Sequence, residues 1–271
     1  MSIMTTFIAE VDNATTSYQS QGVVQVRGLI GPDEISRIRD VFTEQVERDN
    51  SFGHDDHVAE DDILRRYPRF VHPHRHPEME AGRIARELMI DRRIFDVVES
   101  LIGPALAAQS MFYFKPPTAR GQAMHQDNMF LQAHPETCIA AWIAMDRIAG
   151  DNGGLKVVPG SHRIQLLCLE PADESESFTD AQVPLPDGVE IVQTEMEPGD
   201  VLFFHGSLVH GSRPNTSDRF RRSLIFHYIP QASQEVAAFY NPLMTRAGDE
   251  ININEASDGG ACGEGWEPGP H

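Results

Sequence analysis

A β-sandwich or jelly roll buttressed by helices is the architecture this sequence predicts, and three observations predict it. Helical periodicity is confined to the chain before Leu106. From Leu106 to Pro230 the apolar residues fall in short runs suited to strands, and Gly, Pro, Asn and Asp clusters separate those runs. Helices first and many short strands afterwards are the signature of an all-β core with flanking helices. A length of 271 residues suits one large β domain. We read helical support over about 30–104, a jelly-roll core over about 105–230 and an irregular tail over about 246–271.

The elements follow in order. Gln21–Val26 is rich in Val and suits a strand, which Gly28–Pro32 breaks. Pro32-Asp33-Glu34 opens a helix with acids in its first turn. Ile35, Ile38, Val41, Phe42 and Val46 give that helix one apolar face to about Arg48. A second helix is expected over Glu78–Leu101, burying Ile84, Leu88, Ile94, Val97, Val98 and Leu101, with Gly103-Pro104 ending it. Between them Ser51–Pro77 has no period and reads as a long loop. It carries His54, His57, His72, His74 and His76 together with Arg65, Arg66, Arg69 and Arg75. Strands are expected at Ala107–Lys115, Ala123–Met129, Thr137–Asp146, Gly154–Val158, Val189–Glu195, Asp200–His205 and Arg221–Ile229. Glu170–Asp180 is acidic and aperiodic, a mobile loop. Gly248–His271, rich in Gly, Pro and acids, is irregular.

Composition excludes several function classes. The apolar share of 40% with 23% charged residues is that of a soluble protein, and the longest apolar run, Ile139–Met145, is too short to span a membrane. A formal net charge of −19 argues against nucleic acid, whose phosphates need Lys and Arg. The first residues lack a basic cluster leading into an apolar run, so no signal peptide is expected. Cys138, Cys168 and Cys262 lie far apart, suggest neither a disulfide framework nor a zinc site, and fit a reducing cytoplasm.

The chemistry concentrates in His125-Gln126-Asp127, in His210 and in Arg221. Two imidazoles and one carboxylate on one face of a metal form the donor set of non-haem iron(II) oxygenases. On a strand, His125 and Asp127 would share a face while Gln126 points away. Arg221 could grip a dicarboxylate through two parallel hydrogen bonds. Strand phase leaves Arg221 and Arg222 as alternatives, since Arg222 is in step with the apolar Leu224, Phe226 and Tyr228. Gln122, three residues before His125, is a further candidate contact. His162, His205 and His227 read as structural, and Asp146 and Asp200 as turn residues.

The chain resembles the phytanoyl-CoA dioxygenase family of Fe(II)/2-oxoglutarate oxygenases from about Gly22 to Pro230. The motifs that carry the resemblance are Lys115-Pro116-Pro117, His125-Gln126-Asp127-Asn128, Ala141-Trp142-Ile143-Ala144-Met145-Asp146 and Asn152-Gly153-Gly154-Leu155. Val158-Pro159-Gly160-Ser161-His162, Pro198-Gly199-Asp200, His210-Gly211-Ser212 and Phe220-Arg221-Arg222-Ser223 complete the set. The resemblance implies a cupin-like double-stranded β-helix with His125, Asp127 and His210 as ligands to Fe(II). It selects Arg221 over Arg222 as the 2-oxoglutarate anchor, adds Ser212 as a donor to the same carboxylate, and places Trp142 in the co-substrate pocket. It also implies O2 as oxidant, with hydroxylation of a small molecule and release of succinate and CO2. Asp127 fills the position that halogenating relatives leave to chloride, whereas desaturation, epimerisation or cyclisation remain open. A free metabolite or natural-product intermediate is favoured over a CoA thioester, with Arg65, Arg66, Arg69 or Arg75 meeting an anionic group on it. A monomer or homodimer is expected. Two rivals are a metal enzyme that does without 2-oxoglutarate and a binding module with a vestigial site.

Overall fold

In the computed structural model the described residues are 8–9, 14–53, 58–134, 138–257, 262–263 and 265–266. The longer helices are α1 (Ala14–Gln21), α2 (Pro32–Arg48), α3 (Glu80–Met89) and α4 (Arg92–Ile102). The strands that build the site are β1 (Val23–Val26), β2 (Ala105–Lys115), β3 (Gln122–His125), β4 (Ile139–Ala144) and β5 (Leu155–Val157). They continue with β6 (Val192–Gln193), β7 (Val201–His205), β8 (His210–Ser212) and β9 (Arg221–Pro230). One sheet runs β1-β7-β4-β9-β2 and a facing sheet runs β6-β5-β8-β3, all of these pairs antiparallel. Two such sheets closing over a common interior make a jelly roll.

The larger sheet is apolar on both faces, because each face meets a different layer. Its outer face packs on the helices: Phe42 of α2 stacks on Phe112 of β2 with centroids 4.2 Å apart, and Tyr228 of β9 donates from its hydroxyl to the Met89 carbonyl at 2.8 Å. Its inner face sets Trp142, Phe204 and Ile225 against Leu155 and Val157 of the smaller sheet. Period two therefore sorts β9 cleanly. Leu224, Phe226 and Tyr228 join the helix-side core, and Ile225 joins the interior with Arg221, Ser223 and His227 in the same phase.

The helix expected over Glu78–Leu101 is two. Ile90 ends α3 and Asp91 starts α4 as its N-cap, its carboxylate accepting from the Arg93 backbone N–H at 2.8 Å. Ser51–Pro77 is also more ordered than a loop, apart from His54 and His57, which lie outside the described residues. Asp62 caps a helical turn, Ile63–Arg66, and Phe70–Val71 pairs with Phe112–Met111 of β2. Glu170–Asp180 is tied at its base by pairing of Glu170–Pro171 with Ala181–Gln182, and its Ser177 hydroxyl accepts from the Ala123 N–H at 2.9 Å.

The cysteine expectation fails. Cys168 and Cys262 are joined by a disulfide across a sequence separation of 94 residues, leaving Cys138 as a buried thiol. Spacing along the chain could not reveal a bond made by the tail's return to the smaller sheet. The tail likewise holds strands: Glu250–Ile251 pairs with Leu243–Met244, and Asn254–Glu255 with Glu235–Val236. Among the described residues no helix is long and apolar enough to cross a membrane.

Candidate active site

The pairing of β3 with β8 sets His125 directly opposite His210. β3 ends there, so Asp127 does not reach the site by strand alternation. Its backbone is helical (φ −62, ψ −33) at the start of the turn Asn128–Leu131, and that turn swings the carboxylate back toward the two rings. Asp127 Oδ1 lies 3.5 Å from His125 Nε2 and 3.6 Å from His210 Nε2, and one donor atom from each residue falls within 4.8 Å of the others. Gln126 does point away. Its buried carboxamide donates to the Ser207 and Gln165 carbonyls and accepts from the Leu167 N–H.

Each imidazole is oriented from behind. His125 Nδ1 donates to the Ala123 carbonyl at 2.8 Å and His210 Nδ1 to the Leu208 carbonyl at 2.9 Å, which leaves both Nε2 lone pairs facing Asp127. Burial drives His210 down to about 4, so its ring is neutral at pH 7. Burial alone would push the Asp127 carboxyl up, but the imidazoles of His210, His227 and His125 outweigh it and hold the group well below the carboxylate range. Two imidazole nitrogens and a carboxylate oxygen on one side of a shared point, with cavity on the other, suit a ferrous ion in a three-ligand facial arrangement.

A second cluster lies at one end of the same cavity. Arg221, 3% exposed, donates from Nε to the Gly153 carbonyl and from Nη1 to the Ser223 hydroxyl, with its guanidinium 5.6 Å from the Trp142 ring centroid. Lys115, equally buried, donates to the Ser212 hydroxyl at 2.7 Å and to the Arg213 carbonyl. Burial lowers Arg221 to about 10 and, with the charges of Arg221 and Lys156 added, pulls Lys115 well below its usual value. Among the described residues neither side chain has a carboxylate within salt-bridge distance, an arrangement that suits an anion. Gly153 makes the close packing possible: its φ is +74, and a Cβ there would stand 2.5 Å from Lys115 Cδ.

The phase ambiguity is resolved by the partners. Arg222 faces the helices and forms a bidentate pair with Asp146 (2.9 Å twice), while Arg221 faces the interior. Trp142, Gln122 and Ser212 all line the cavity, and Gln122 Nε2 stands 3.2 Å from His125 Nε2. His205 and His162 stay outside the donor set, as expected of structural residues; Asp200 accepts from Gly28 and Glu197 N–H groups in its turn. Of the four loop arginines only Arg69 lines the cavity, over the Phe178 and Tyr113 rings, whereas Arg75 is bonded to the Phe239 and Tyr240 carbonyls. His72, His74 and His76 do not converge, since His72 is left-handed (φ 53) and His74 is held by Ser110. Sequence reasoning missed two residues, Lys115 and His227. The signal for both was a basic side chain in the inward phase of a long buried strand.

The profile of the phytanoyl-CoA dioxygenase family matches residues 18–223, about three quarters of the chain. The chain belongs to the phytanoyl-CoA dioxygenase family. Within that family, phytanoyl-CoA dioxygenase 1 of Oryza sativa subsp. japonica is 38% identical over 122 residues, covering 45% of this chain and 43% of the relative. A probable phytanoyl-CoA dioxygenase of Caenorhabditis elegans is 35% identical over 161 residues, covering 55% of this chain and 50% of the relative. The matches thus span about half the length of these relatives. The fold is shared with the epimerase SnoN solved with Fe3+, alpha ketoglutarate and nogalamycin RO: TM-score 0.65 at 18% identity, covering 83% of this chain and 85% of SnoN.

Proposed function

We propose that this family member is an iron(II)- and 2-oxoglutarate-dependent dioxygenase that hydroxylates a small molecule with release of succinate and CO2. The observation that carries the reading is one cavity, about 950 Å³, lined by both the His125–Asp127–His210 donor set and by Arg221 and Ser212, with Lys115 donating to the Ser212 hydroxyl. His125, Asp127 and His210 would hold the metal, and Arg221, Lys115 and Ser212 the far carboxylate of 2-oxoglutarate. Bound together with O2, those cofactors supply the oxidising power that the side chains lack. The protein's part is geometric. Arg221 and Lys115 fix the co-substrate's direction, the Trp142, Phe204 and Ile225 walls keep water out, and Gln122 stands beside the His125 nitrogen.

The substrate half of the cavity is walled by Val58, Val71, Met111, Phe178 and the rim aromatics Phe130 and Phe239, which are 52% and 50% exposed. Exposed aromatics at a cavity mouth favour an apolar body. The formal net charge of −19 disfavours a polyanionic CoA carrier, so a free metabolite fits better than a thioester. Arg69 is the one loop cation placed to meet an anionic group on it; an Arg69→Ala variant with unchanged substrate KM would count against that contact. Epimerisation is the second reading, drawn from the fold shared with the epimerase SnoN; product mass separates it from hydroxylation, which adds an oxygen atom.

The test is anaerobic addition of Fe(II) and 2-oxoglutarate to the purified chain, which should give the visible absorption of the chelate, followed by a substrate screen read by succinate. His125→Ala, Asp127→Ala and His210→Ala should each abolish both signals, and a fully active His210→Ala enzyme would end the reading.

A further inference from the structure

The two oxygens of Asp127 have different neighbours. Oδ1 faces His125 and His210 at 3.5 and 3.6 Å, distances too long for hydrogen bonds. Oδ2 faces His227 Nε2 at 3.0 Å, a hydrogen bond, and both partners are buried. Because Asp127 lies beyond the end of β3, at the start of a helical turn, no strand ladder fixes where its carboxylate points. The hydrogen bond from His227 does.

The imidazole is well placed for that task. A ring nitrogen facing a carboxylate is the donor, so Nε2 carries the proton, and Nδ1 is buried without a hydrogen-bond partner. His227 is therefore not claimed by a competing acceptor on its other side. Its backbone is also built for the purpose. A β-bulge falls between His227 and Tyr228, where Ala108 of β2 is the extra residue. It adjusts the ladder at the point where β9 turns one side chain into the cavity and the next out to the Met89 carbonyl.

Resting on the dioxygenase reading, we propose that His227 is a positioning residue for the metal centre. Its Nε2–H holds Asp127 Oδ2 so that the carboxylate offers the metal a single oxygen, Oδ1. The opposite side of the site then stays open to 2-oxoglutarate and O2. Without that donor the carboxylate is free to rotate about its side-chain bonds, and the third ligand is no longer pre-set. Outer hydrogen-bond partners of metal ligands typically contribute about 10–100-fold in metal affinity.

The experiment compares the full-length wild type with His227→Leu, His227→Gln and His227→Asn. Fe(II) affinity is read anaerobically from the visible absorption of the chelate with 2-oxoglutarate, and folding from melting of the metal-free protein. His227→Leu should bind Fe(II) about 10–100-fold more weakly. His227→Gln, whose amide N–H reaches the place of Nε2, should recover most of that loss, and His227→Asn, one bond shorter, should not. Should His227→Leu fail to fold, the Gln and Asn variants carry the test between them. Wild-type affinity in His227→Leu would overturn the proposal, as would equal weakness in Gln and Asn variants that melt like the wild type. A wild-type chain that itself forms no chelate would instead remove the dioxygenase reading, and this proposal with it.

Discussion

Lys115 and Arg221 stand buried without a carboxylate partner among the described residues, and on the dioxygenase reading the far carboxylate of 2-oxoglutarate supplies one. Hydrogen bonds to charged groups contribute about 1.5–3 kcal/mol, which corresponds to roughly 10–100-fold in binding. Arg221→Lys, which keeps the charge but loses the fork, should raise the KM for 2-oxoglutarate by about that factor. Lys115→Met should raise it similarly, with substrate KM nearly unchanged in both; a normal 2-oxoglutarate KM in either would remove that residue from the pocket. His74 gives a different kind of prediction. Burial drives its imidazole down to about 3, so the folded protein resists a proton that the unfolded chain accepts near its ordinary value of about 6.5. Its contribution is therefore intact above about pH 6.5 and is lost as pH falls toward 3, about 2 kcal/mol of it by pH 5. His74→Asn should flatten the fall in unfolding free energy between about pH 7 and 5, and an unchanged pH slope would refute the assignment. Side chains of this kind mark the limit of what the sequence discloses. The ligand triplet and Arg221 are legible because their types name a chemistry. Lys115 was visible only as part of a turn motif and His227 only as strand filling, since their roles arise from partners about a hundred residues away.

At the scale of elements, the site depends on how closely β3 and β8 approach. Gly211, between His210 and Ser212, has no room for a side chain: a Cβ would stand 2.8 Å from the Gln122 carbonyl and 2.8 Å from Met124 Sδ. Gly211→Ala should push the strands apart, costing about 1–3 kcal/mol as overpacking does. Because the same strands carry His125 and His210, Fe(II) affinity should fall with stability. A variant that melts lower yet binds Fe(II) normally would show that the donor set does not depend on this contact. Strand periodicity found each of the long strands, because alternation and buried apolar runs are strong local signals. It did not find the end of β3, where Asp127 leaves the ladder, nor the break at Asp91, whose cap hides inside a continuous helical apolar pattern. The two-sided burial of β9 explains the Arg221–Arg222 ambiguity: both phases are apolar because helices cover one face and the second sheet the other.

Across the whole molecule, the Cys168–Cys262 bond closes a loop of 94 residues that contains His210, Ser212 and Arg221. The closure is reinforced by polar contacts beside the site. Cys168 donates its N–H to the Gly263 carbonyl, Gln165 donates to Gly265, and Trp266 donates to Pro184. Leu167, next to the bonded cysteine, is held in turn by Gln126, the residue between two of the proposed ligands. The bond thus fastens the tail to the part of the smaller sheet that carries the histidines. Cross-linking a loop of this length restricts the unfolded chain by up to about 4–5 kcal/mol in the chain-entropy picture. At roughly 2–4 °C per kcal/mol for a chain of this size, Cys262→Ser should melt about 5–15 °C below the oxidised wild type, and the reduced wild type should match it. Equal melting temperatures for the oxidised wild type, the reduced wild type and Cys262→Ser would mean that the bond contributes nothing to stability. Fe(II) binding by the reduced protein at low temperature decides the remaining question. Unchanged affinity there makes the bond a brace for the folded molecule, whereas a parallel loss shows that the Leu167–Gln126 contact passes tail docking on to the metal ligands.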